Sequence, residues 1–583
     1  MKNPYLGNIM KNTIIRYLAV PCMVIASAAY GQDRVQSPEV AGLTPLHGTI
    51  YVNDTTNFNY SGTASDGIWA VDFTDNHTVL IGLVDGGLIG DFEAMGHAWT
   101  LYDTNGNRLI PPTVITNVAG APGGATLTNT WRSFFRTNGS PMACNTSRGI
   151  RIRANHFGSG FVVGGRGDRI GMEIAALYDV NSDAAGPVTW ATSAGQGFPV
   201  AQFVNNNGTA AGPVLSMCND AEAEASGQIF CHGAEVLANG NIVIVGESRQ
   251  GSELVDRFGG PASGDHVVYR ILKPNGEVVT PYSLASSTLL SCNQFNAGVG
   301  VTSNGFAIRF RGSLGVSFRL FNNDGTAATN SFGDTNDISM ATAVGAFLGT
   351  GTEPTAGYGD RGDGVGWHGN YKDAYVNVAN NSGGVYVTVY NADGSVRYHR
   401  QTWDEGSSNN GNRVEGAIAP DGRVVIAIDD SIWASVDAGY AGNRLILGKI
   451  FDPAGNPMGP HFSVSELETP GTVTDSSLCP RVGWRDNLIG FTWRRAFGPI
   501  SGLPVLGYRL FMETPPVALL INRSAGNVVL SWPTNATGFT LRSKGNLSSG
   551  TWQTNSPAPV INGSVFMVTE PSGPTNKFYQ LIK

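Results

Sequence analysis

Short apolar runs separated by turn residues set the pattern of this chain. From Glu415 to Val464 four of them follow one another: one around Ala417, one from Val424 to Ile428, one from Leu445 to Phe451 and one from His461 to Val464. Pro420-Asp421-Gly422 joins the first pair, and Asp452-Pro453-Ala454-Gly455 joins the second. Pro fixes φ, Asx hydrogen-bonds the turn backbone and Gly takes the last position at little steric cost, so both joints predict tight turns. Four strands with short turns make one antiparallel sheet.

The same order recurs along most of the chain. Thr100-Leu101-Tyr102-Asp103 leads to Gly106, Ala176-Leu177-Tyr178-Asp179 to Gly186, Tyr269-Arg270-Ile271-Leu272 to Asn275-Gly276, and Phe318-Arg319-Leu320-Phe321 to Asp324-Gly325. Thr388-Val389-Tyr390 precedes Asp393-Gly394, Gly448-Lys449-Ile450-Phe451 precedes Gly455, and Tyr508-Arg509-Leu510-Phe511 ends the series. Seven copies between Tyr102 and Phe511 are (511 − 102)/6, or about 68 residues apart. Common propeller repeats run about 40 to 50 residues, so these units carry long loops. The expectation is an all-β chain: a seven-bladed β-propeller over residues 45–514, with six or eight blades also compatible. A degenerate copy at Ala201-Gln202-Phe203 and Asn207-Gly208 is read as an elaboration of the second blade. Ring closure predicts that Gly48-Thr49-Ile50-Tyr51-Val52 pairs with the blade containing Val505 to Phe511, because an open ring exposes two strand edges.

After Thr514-Pro515-Pro516 the character changes, and Pro cannot join a central strand. Val528 to Pro533, Gly538 to Ser543, Thr551-Trp552 and Lys577 to Leu581 predict a small C-terminal β-sandwich over residues 515–583. Trp532 and Trp552 are read as its core.

Two resemblances rest on these residues. GKIFDPAGNPMGPHFSV and CPRVGWRDNLIGFTW resemble a repeat of secreted bacterial β-propellers, over roughly residues 45 to 514. The Leu530-Ser531-Trp532-Pro533 strand resembles the second strand of fibronectin type III-like domains. Both imply a fold, and neither implies an activity, since proteins with such repeats include adhesins, lectins and hydrolases.

Composition supports the reading and narrows partners. Charged residues are 14% of the chain, against a usual share of about 25%, and the 77 glycines suit many turns. The net charge of −8 is modest and no block of like charges occurs, so nucleic acid is not an expected partner. Residues 1–31 read as a signal peptide, with Lys11 and Arg16 before an apolar run from Tyr17 to Ala29 and small residues at Ala26, Ala28 and Gly31. That run is shorter than the ~20 residues needed to span a bilayer, so no membrane span is expected in the mature chain. A secreted or cell-surface location follows as an expectation, and it makes disulfides possible. Half-buried structural thiols or one local bridge, Cys218 to Cys231, are the readings preferred to a metal site, because Cys218, Cys231 and His232 match no zinc spacing.

Chemical motifs are sparse. The chain has no Gly-x-Ser-x-Gly elbow, no His-Glu-x-x-His, no phosphate loop and no full calcium loop, so no cofactor, metal or catalytic residue is assigned. Asp103-Thr104-Asn105-Gly106-Asn107 and Asn322-Asn323-Asp324-Gly325 are partly calcium-like, but turns need the same residues for backbone reasons. The densest mix of aromatic and ionisable side chains runs from Tyr358 to Asp373. There Tyr358, Trp367 and Tyr371 offer flat faces, and Asp360, Asp363 and His368 offer hydrogen bonds, as sugar or peptide recognition requires.

Strand alternation places the loops between middle strands, and the crossovers, at one end of every blade. Most long insertions fall there, so the ligand face is expected to carry Arg249, Asp256, Asp265, Tyr358, Asp360, Asp363, Trp367, His368, Tyr371, Trp403 and Trp433 around the channel mouth. The leading expectation is a non-enzymatic protein that binds extracellular glycan or protein through this face. The alternative is a polysaccharide hydrolase or lyase with carboxylates at the channel mouth, drawn from Asp256, Asp265, Asp360, Asp363 and Asp373.

Overall fold

The computed structural model describes residues 37–52, 70–85, 96–114, 151–168, 197–217, 228–249, 266–287, 295–312, 315–352, 367–381, 384–403, 414–430, 445–465, 477–495, 505–513, 519–534, 539–546, 550–554, 558–563, 565–574 and 576–582. The first 36 residues, with the expected signal peptide, lie outside this set, as do Cys218 and the side chain of Cys231. No helix among the described residues is long and apolar enough to cross a membrane.

The chain is all-β and propeller-like. Among the described residues, seven antiparallel sheets follow in chain order before residue 514, and each inner strand is the first of its sheet. The inner strands are Ala70–Phe73, Arg151–Ala154, Gln228–Val236, Phe295–Val301, Trp367–Gly369, Val414–Ile418 and Ser477–Arg485. Each inner strand packs beside the next, and the seventh packs beside the first. The seventh sheet is completed from the N-terminus: Ile50 pairs with Tyr508 and Tyr51 with Gly507, while Leu43–Pro45 pairs with Glu513 to Phe511. The expected closure is therefore present. One detail of the second sheet differs from expectation. Its third strand is Gly197–Val204, which contains Ala201-Gln202-Phe203, whereas Ala176 to Asp179 lies outside the described residues. The degenerate copy is thus a strand of the second sheet itself.

The sixth sheet shows why the apolar runs are continuous. Its second strand, Val424–Asp430, lies between two neighbouring sheets and has no solvent face. Val424, Ile426 and Ile428 join the core shared with the fifth sheet, and Val425 and Ala427 join the core shared with the seventh. Period-two alternation sends successive side chains to opposite faces, and here both faces are buried. Each fully buried Val or Ile contributes about 1.5 to 3 kcal/mol.

The turns are built as their residues require. Asp452 accepts from the N–H groups of Ala454 (2.9 Å) and Asn456 (2.8 Å) and from Asn456 Nδ2 (2.9 Å), and Gly455 takes φ +81°. Asp103 is filled in the same way by Asn105 and Asn107. These carboxylates are occupied by turn donors.

Beyond the seventh sheet, Leu520–Ser524, Asn527–Pro533, Val565–Pro571 and Val560–Asn562 form a four-stranded sheet. Gln553–Thr554, Thr540–Lys544 and Phe578–Ile582 form a three-stranded one. Leu530, Trp532, Leu541 and Val568 make their shared core. Trp532 is buried as expected, whereas Trp552 is half-exposed beneath Lys544, whose ammonium lies 5.9 Å from the ring centroid.

Candidate active site

Inner strands of such a ring are apolar except where they face the lumen, and four of them carry one ionisable residue at the same place. Asp72, Arg153, Glu235 and His368 each lie one residue before the last pair of the first hairpin of their sheet. Equivalent register means equivalent height, so the four side chains converge in one layer. Glu415 sits two residues earlier on the sixth inner strand, and alternation keeps it on the same face. Arg481 of the seventh inner strand joins it, with Nη1 3.7 Å from Glu415 Oε2. The fourth inner strand has Gly300 at this position. A Cβ there would meet the backbone N of Gly369 at 2.7 Å, so Gly lets the fourth and fifth strands approach.

Two turn residues complete the layer. His156 follows Asn155 in the first turn of the second sheet, and Tyr371 follows Asn370 in that of the fifth. Asn370 is fully buried, and its side-chain oxygen accepts from the N–H groups of Lys372, Asp373 and Ala374 at 2.8 to 2.9 Å. This clamp holds Tyr371 at φ +59°, a left-handed conformation that costs a bulky residue about 1 to 3 kcal/mol. The Tyr371 backbone N–H donates to the Val301 carbonyl of the fourth inner strand at 3.0 Å. Its ring stacks on His156 at 3.7 Å and 3°, and its hydroxyl donates to Glu235 Oε2 at 3.2 Å.

The groups form one connected chain. Asp72 accepts from His156 Nε2 (3.1 Å), Ala154 N–H (2.9 Å) and Phe73 N–H (2.9 Å). Arg153 donates through Nε to Glu235 Oε1 (3.1 Å) and through Nη2 to His368 Nδ1 (2.8 Å). His368 Nε2 contacts Glu415 Oε1, and Arg481 Nη1 lies 3.7 Å from Glu415 Oε2. Side-chain exposure is graded: 15% for His368, 14% for Arg153 and 8% for His156, against 5%, 4% and 3% for Asp72, Glu235 and Glu415. The bases and the guanidinium are presented, and the carboxylates stand behind them.

Electrostatics separates the carboxylates. Burial works to raise Asp72, but the charges of His156 and Arg153 and its donors prevail and hold it at about 2. Glu235 is pushed up to about 7, by burial first and then by Asp72, with Arg153 opposing. Burial also opposes ionisation of Glu415, yet His368 and Arg481 keep it below the ordinary carboxylate value. His368 is lowered by burial and then by Arg153. Tyr371 is raised well above an ordinary phenol, by burial and then by Glu235, so its hydroxyl keeps its proton. Arg153 stays charged, since Glu235, Tyr371 and Asp72 outweigh its burial.

Of the residues expected at a ligand face, the structure brings His368 and Tyr371 into this layer. Trp367 is corrected: it is 1% exposed, stacked on Tyr375 at 5.3 Å with Nε1 donating to the Ala307 carbonyl, and offers no face to a ligand. Its neighbour points to the lumen, and strand alternation sends Trp367 the other way, into the core between the fourth and fifth sheets. Asp373 is exposed and pairs with Arg397 Nη2 at 3.4 Å, so it is no channel acid. Arg249 and Trp403 end described strands, but their side chains, with Asp256, Asp265, Tyr358, Asp360, Asp363 and Trp433, lie outside the described residues. The cluster itself lies at the short-turn end of the inner strands, opposite the end expected to carry the ligand face. Asp72, Arg153, His156, Glu235, Glu415 and Arg481 were not singled out by sequence. For Asp72, Arg153 and Glu235 the signal was an ionisable residue between two apolar ones near the end of a first strand, as in Val71-Asp72-Phe73, Ile152-Arg153-Ala154 and Ala234-Glu235-Val236.

No family model matches the chain, and no curated protein does. Solved structures do. Polysaccharide lyase Uly1 is similar at 10% identity and TM-score 0.45, over 81% of this chain and 100% of that one. A sialidase of Trypanosoma rangeli in complex with the inhibitor DANA is similar at 8% identity and TM-score 0.34, over 92% and 86%. An α-L-arabinofuranosidase from Fusarium graminearum is similar at 8% identity and TM-score 0.33, over 81% and 98%. The expectation of a non-enzymatic binding protein is corrected at this point. The three structures named are those of a polysaccharide lyase, a sialidase and an arabinofuranosidase, and the lumen of this chain holds buried, ion-paired acids and bases.

Proposed function

We propose that the chain is a polysaccharide-cleaving enzyme that works by β-elimination on a uronate-containing glycan. The observation that carries this reading is the exposure gradient of the channel layer: Arg153 and the imidazoles face the lumen while all three carboxylates are buried behind them. Most glycosidases, sialidases with a tyrosine nucleophile excepted, present two carboxylates to the scissile bond, about 5 to 10 Å apart. A lyase instead needs a cation for the substrate carboxylate, a base for the neighbouring C–H and an acid for the leaving oxygen.

Each role has an occupant. Arg153 binds the uronate carboxylate and stabilises the negative charge that develops on it. His156 takes the proton from the carbon beside that carboxylate through Nδ1, since Nε2–H is held by Asp72. The electron pair left by the C–H bond forms the carbon–carbon double bond as the glycosidic C–O bond breaks. Tyr371 donates its hydroxyl proton to the departing oxygen and regains a proton from Glu235, which is half protonated near neutrality. The proton on His156 returns to solvent. A hydrolytic reading has one observation of its own, the separation of Asp72 and Glu235 to about 2 and about 7, which suits a carboxylate pair with different roles.

The test is incubation of the full chain with a panel of uronate and neutral polysaccharides. β-Elimination yields products with a new ultraviolet-absorbing double bond and no oxygen from water. Hydrolysis yields saturated ends that carry the water oxygen. Cleavage of neither kind across the panel ends the proposal.

The remaining architecture belongs to the same reading. The seven sheets are taken as the blades of a seven-bladed propeller over residues 45–514, and residues 515–583 as a fibronectin type III-like module. Residues 1–31 are taken as a signal peptide that sends the enzyme out of the cell to its glycan. N-terminal sequencing of protein recovered from the medium tests this, and an intact Met1 would overturn it.

A further inference from the structure

A long guanidinium needs to be aimed, and Arg153 is gripped along two edges. Nε meets Glu235 and Nη2 meets His368 Nδ1, which leaves Nη1 without a partner among the described residues. Arginine only donates, so the bond at 2.8 Å requires a lone pair on His368 Nδ1. The ring proton is therefore on Nε2, where it is donated to Glu415 Oε1. A protonated imidazole would set two N–H donors face to face. Glu415 itself is 2% exposed, and its second oxygen is buried with no hydrogen bond, the Arg481 guanidinium at 3.7 Å balancing its charge without taking a short bond. The charged and titratable groups around His368 are Arg153, Glu415 and Asp72, with Glu235 and Arg481 one contact further.

We propose that Glu415 is a positioning residue: it fixes His368 as the neutral Nε2–H tautomer and, through Nδ1, the direction in which Arg153 points its free Nη1 at the substrate carboxylate. The relay runs Arg481, Glu415, His368, Arg153 over the inner strands of the seventh, sixth, fifth and second sheets, so the aim of Arg153 is set by residues that touch no substrate. The substrate half of this inference rests on the lyase reading, and the tautomer half stands without it.

The experiment has two arms on the full chain. In nitrogen NMR of protein labelled with ¹⁵N-histidine, with the His368 signal assigned by its loss in His368→Phe, the parent shows an unprotonated Nδ1 and a protonated Nε2 across neutral pH. Glu415→Leu brings in the Nδ1–H tautomer. A parent His368 protonated on Nδ1 overturns the inference. In steady-state kinetics on a cleaved polyuronate, Glu415→Leu raises KM by about 10 to 100-fold, the range seen when residues behind a binding group are lost. Glu415→Gln, which keeps an accepting oxygen, restores KM to within about threefold. Loss of kcat at unchanged KM in both variants overturns the positioning role. Where Glu415→Leu fails to fold, Glu415→Gln and the parent spectrum still decide the outcome. Where no polyuronate is cleaved, the lyase reading falls and the spectra alone judge the relay.

Discussion

Replacing Glu235 by Gln should make the protein more stable at pH 8 and leave it nearly unchanged at pH 4.5. Glu235 is 3% exposed and its carboxyl is pushed up to about 7 from the ordinary 4.5, burial being the larger cause and Asp72 the next. A carboxyl raised on folding contributes stability that is fully present below its unfolded value and is lost as pH rises through the folded one. The window is therefore pH 4.5 to about 7. At about 1.4 kcal/mol for each pH unit across it, the parent loses about 3 kcal/mol relative to a variant whose side chain cannot ionise. Gln keeps the shape and an oxygen for the Arg153 Nε–H, and the cost of removing the charge opposite Arg153 is shared by the protonated parent at low pH. Urea unfolding followed by tryptophan fluorescence, parent and variant side by side from pH 4.5 to 8, lets the other titrations cancel. A difference that stays flat across this range, or that moves in favour of the parent, refutes the reasoning. Activity should move the opposite way, since in the proposed elimination Glu235 returns a proton to Tyr371.

Other perturbations separate chemistry from packing. Tyr371→Phe removes the donor to the leaving oxygen and should lower kcat by about 10² to 10⁴-fold, read by product absorbance, with the fold retained. Trp367→Ala should cost about 3 to 5 kcal/mol of stability, because the indole fills a buried site. Its binding of oligosaccharide, measured by calorimetry on folded protein, should be unchanged. Gly369→Ala would place a Cβ 2.1 Å from the Val301 carbonyl oxygen, so a lower melting temperature equivalent to about 1 to 3 kcal/mol is expected. An unchanged melting temperature would show that the fourth and fifth inner strands can part freely. Removing residues 37–52 uncovers the edge strand Val505–Glu513 and should yield concentration-dependent association in sedimentation experiments.

The sheets were legible in the sequence because turn chemistry is local. Asp452 to Gly455 writes its own turn, and the continuous run Val424 to Ile428 announces a strand buried on both faces. The closing strand at Ile50 was legible for a topological reason, since a ring must hide its edges. The site was much harder to read. Asp72, Arg153, Glu235 and His368 are separated by 81, 82 and 133 residues, so no motif can join them. What joins them is equal register on successive inner strands, and register appears only when the hairpins are paired. The aromatic-rich stretch around Trp367 misled in one respect. An exposed platform and a core plug have the same composition, and strand alternation alone decided that His368 faces the lumen while Trp367 turns away.

Ile50 and Tyr508 are 508 − 50 = 458 residues apart and are direct partners. Bringing such distant points together costs about 5 kcal/mol of chain entropy on the logarithmic scale for flexible loops, a cost that falls as the intervening sheets form and shorten the path. A chain delivered N-terminus first therefore keeps residues 43–51 unmatched until its last inner sheet has emerged. Closure comes last, and it converts a row of separable sheets into a single cooperative object. The lumen layer inherits that dependence, since Asp72 and Arg481 stand on the first and seventh inner strands, which pack together only across the seam. A ring built this way has no working half: truncated or interrupted chains can fold sheets, but the acid–base layer is assembled only when the two ends meet.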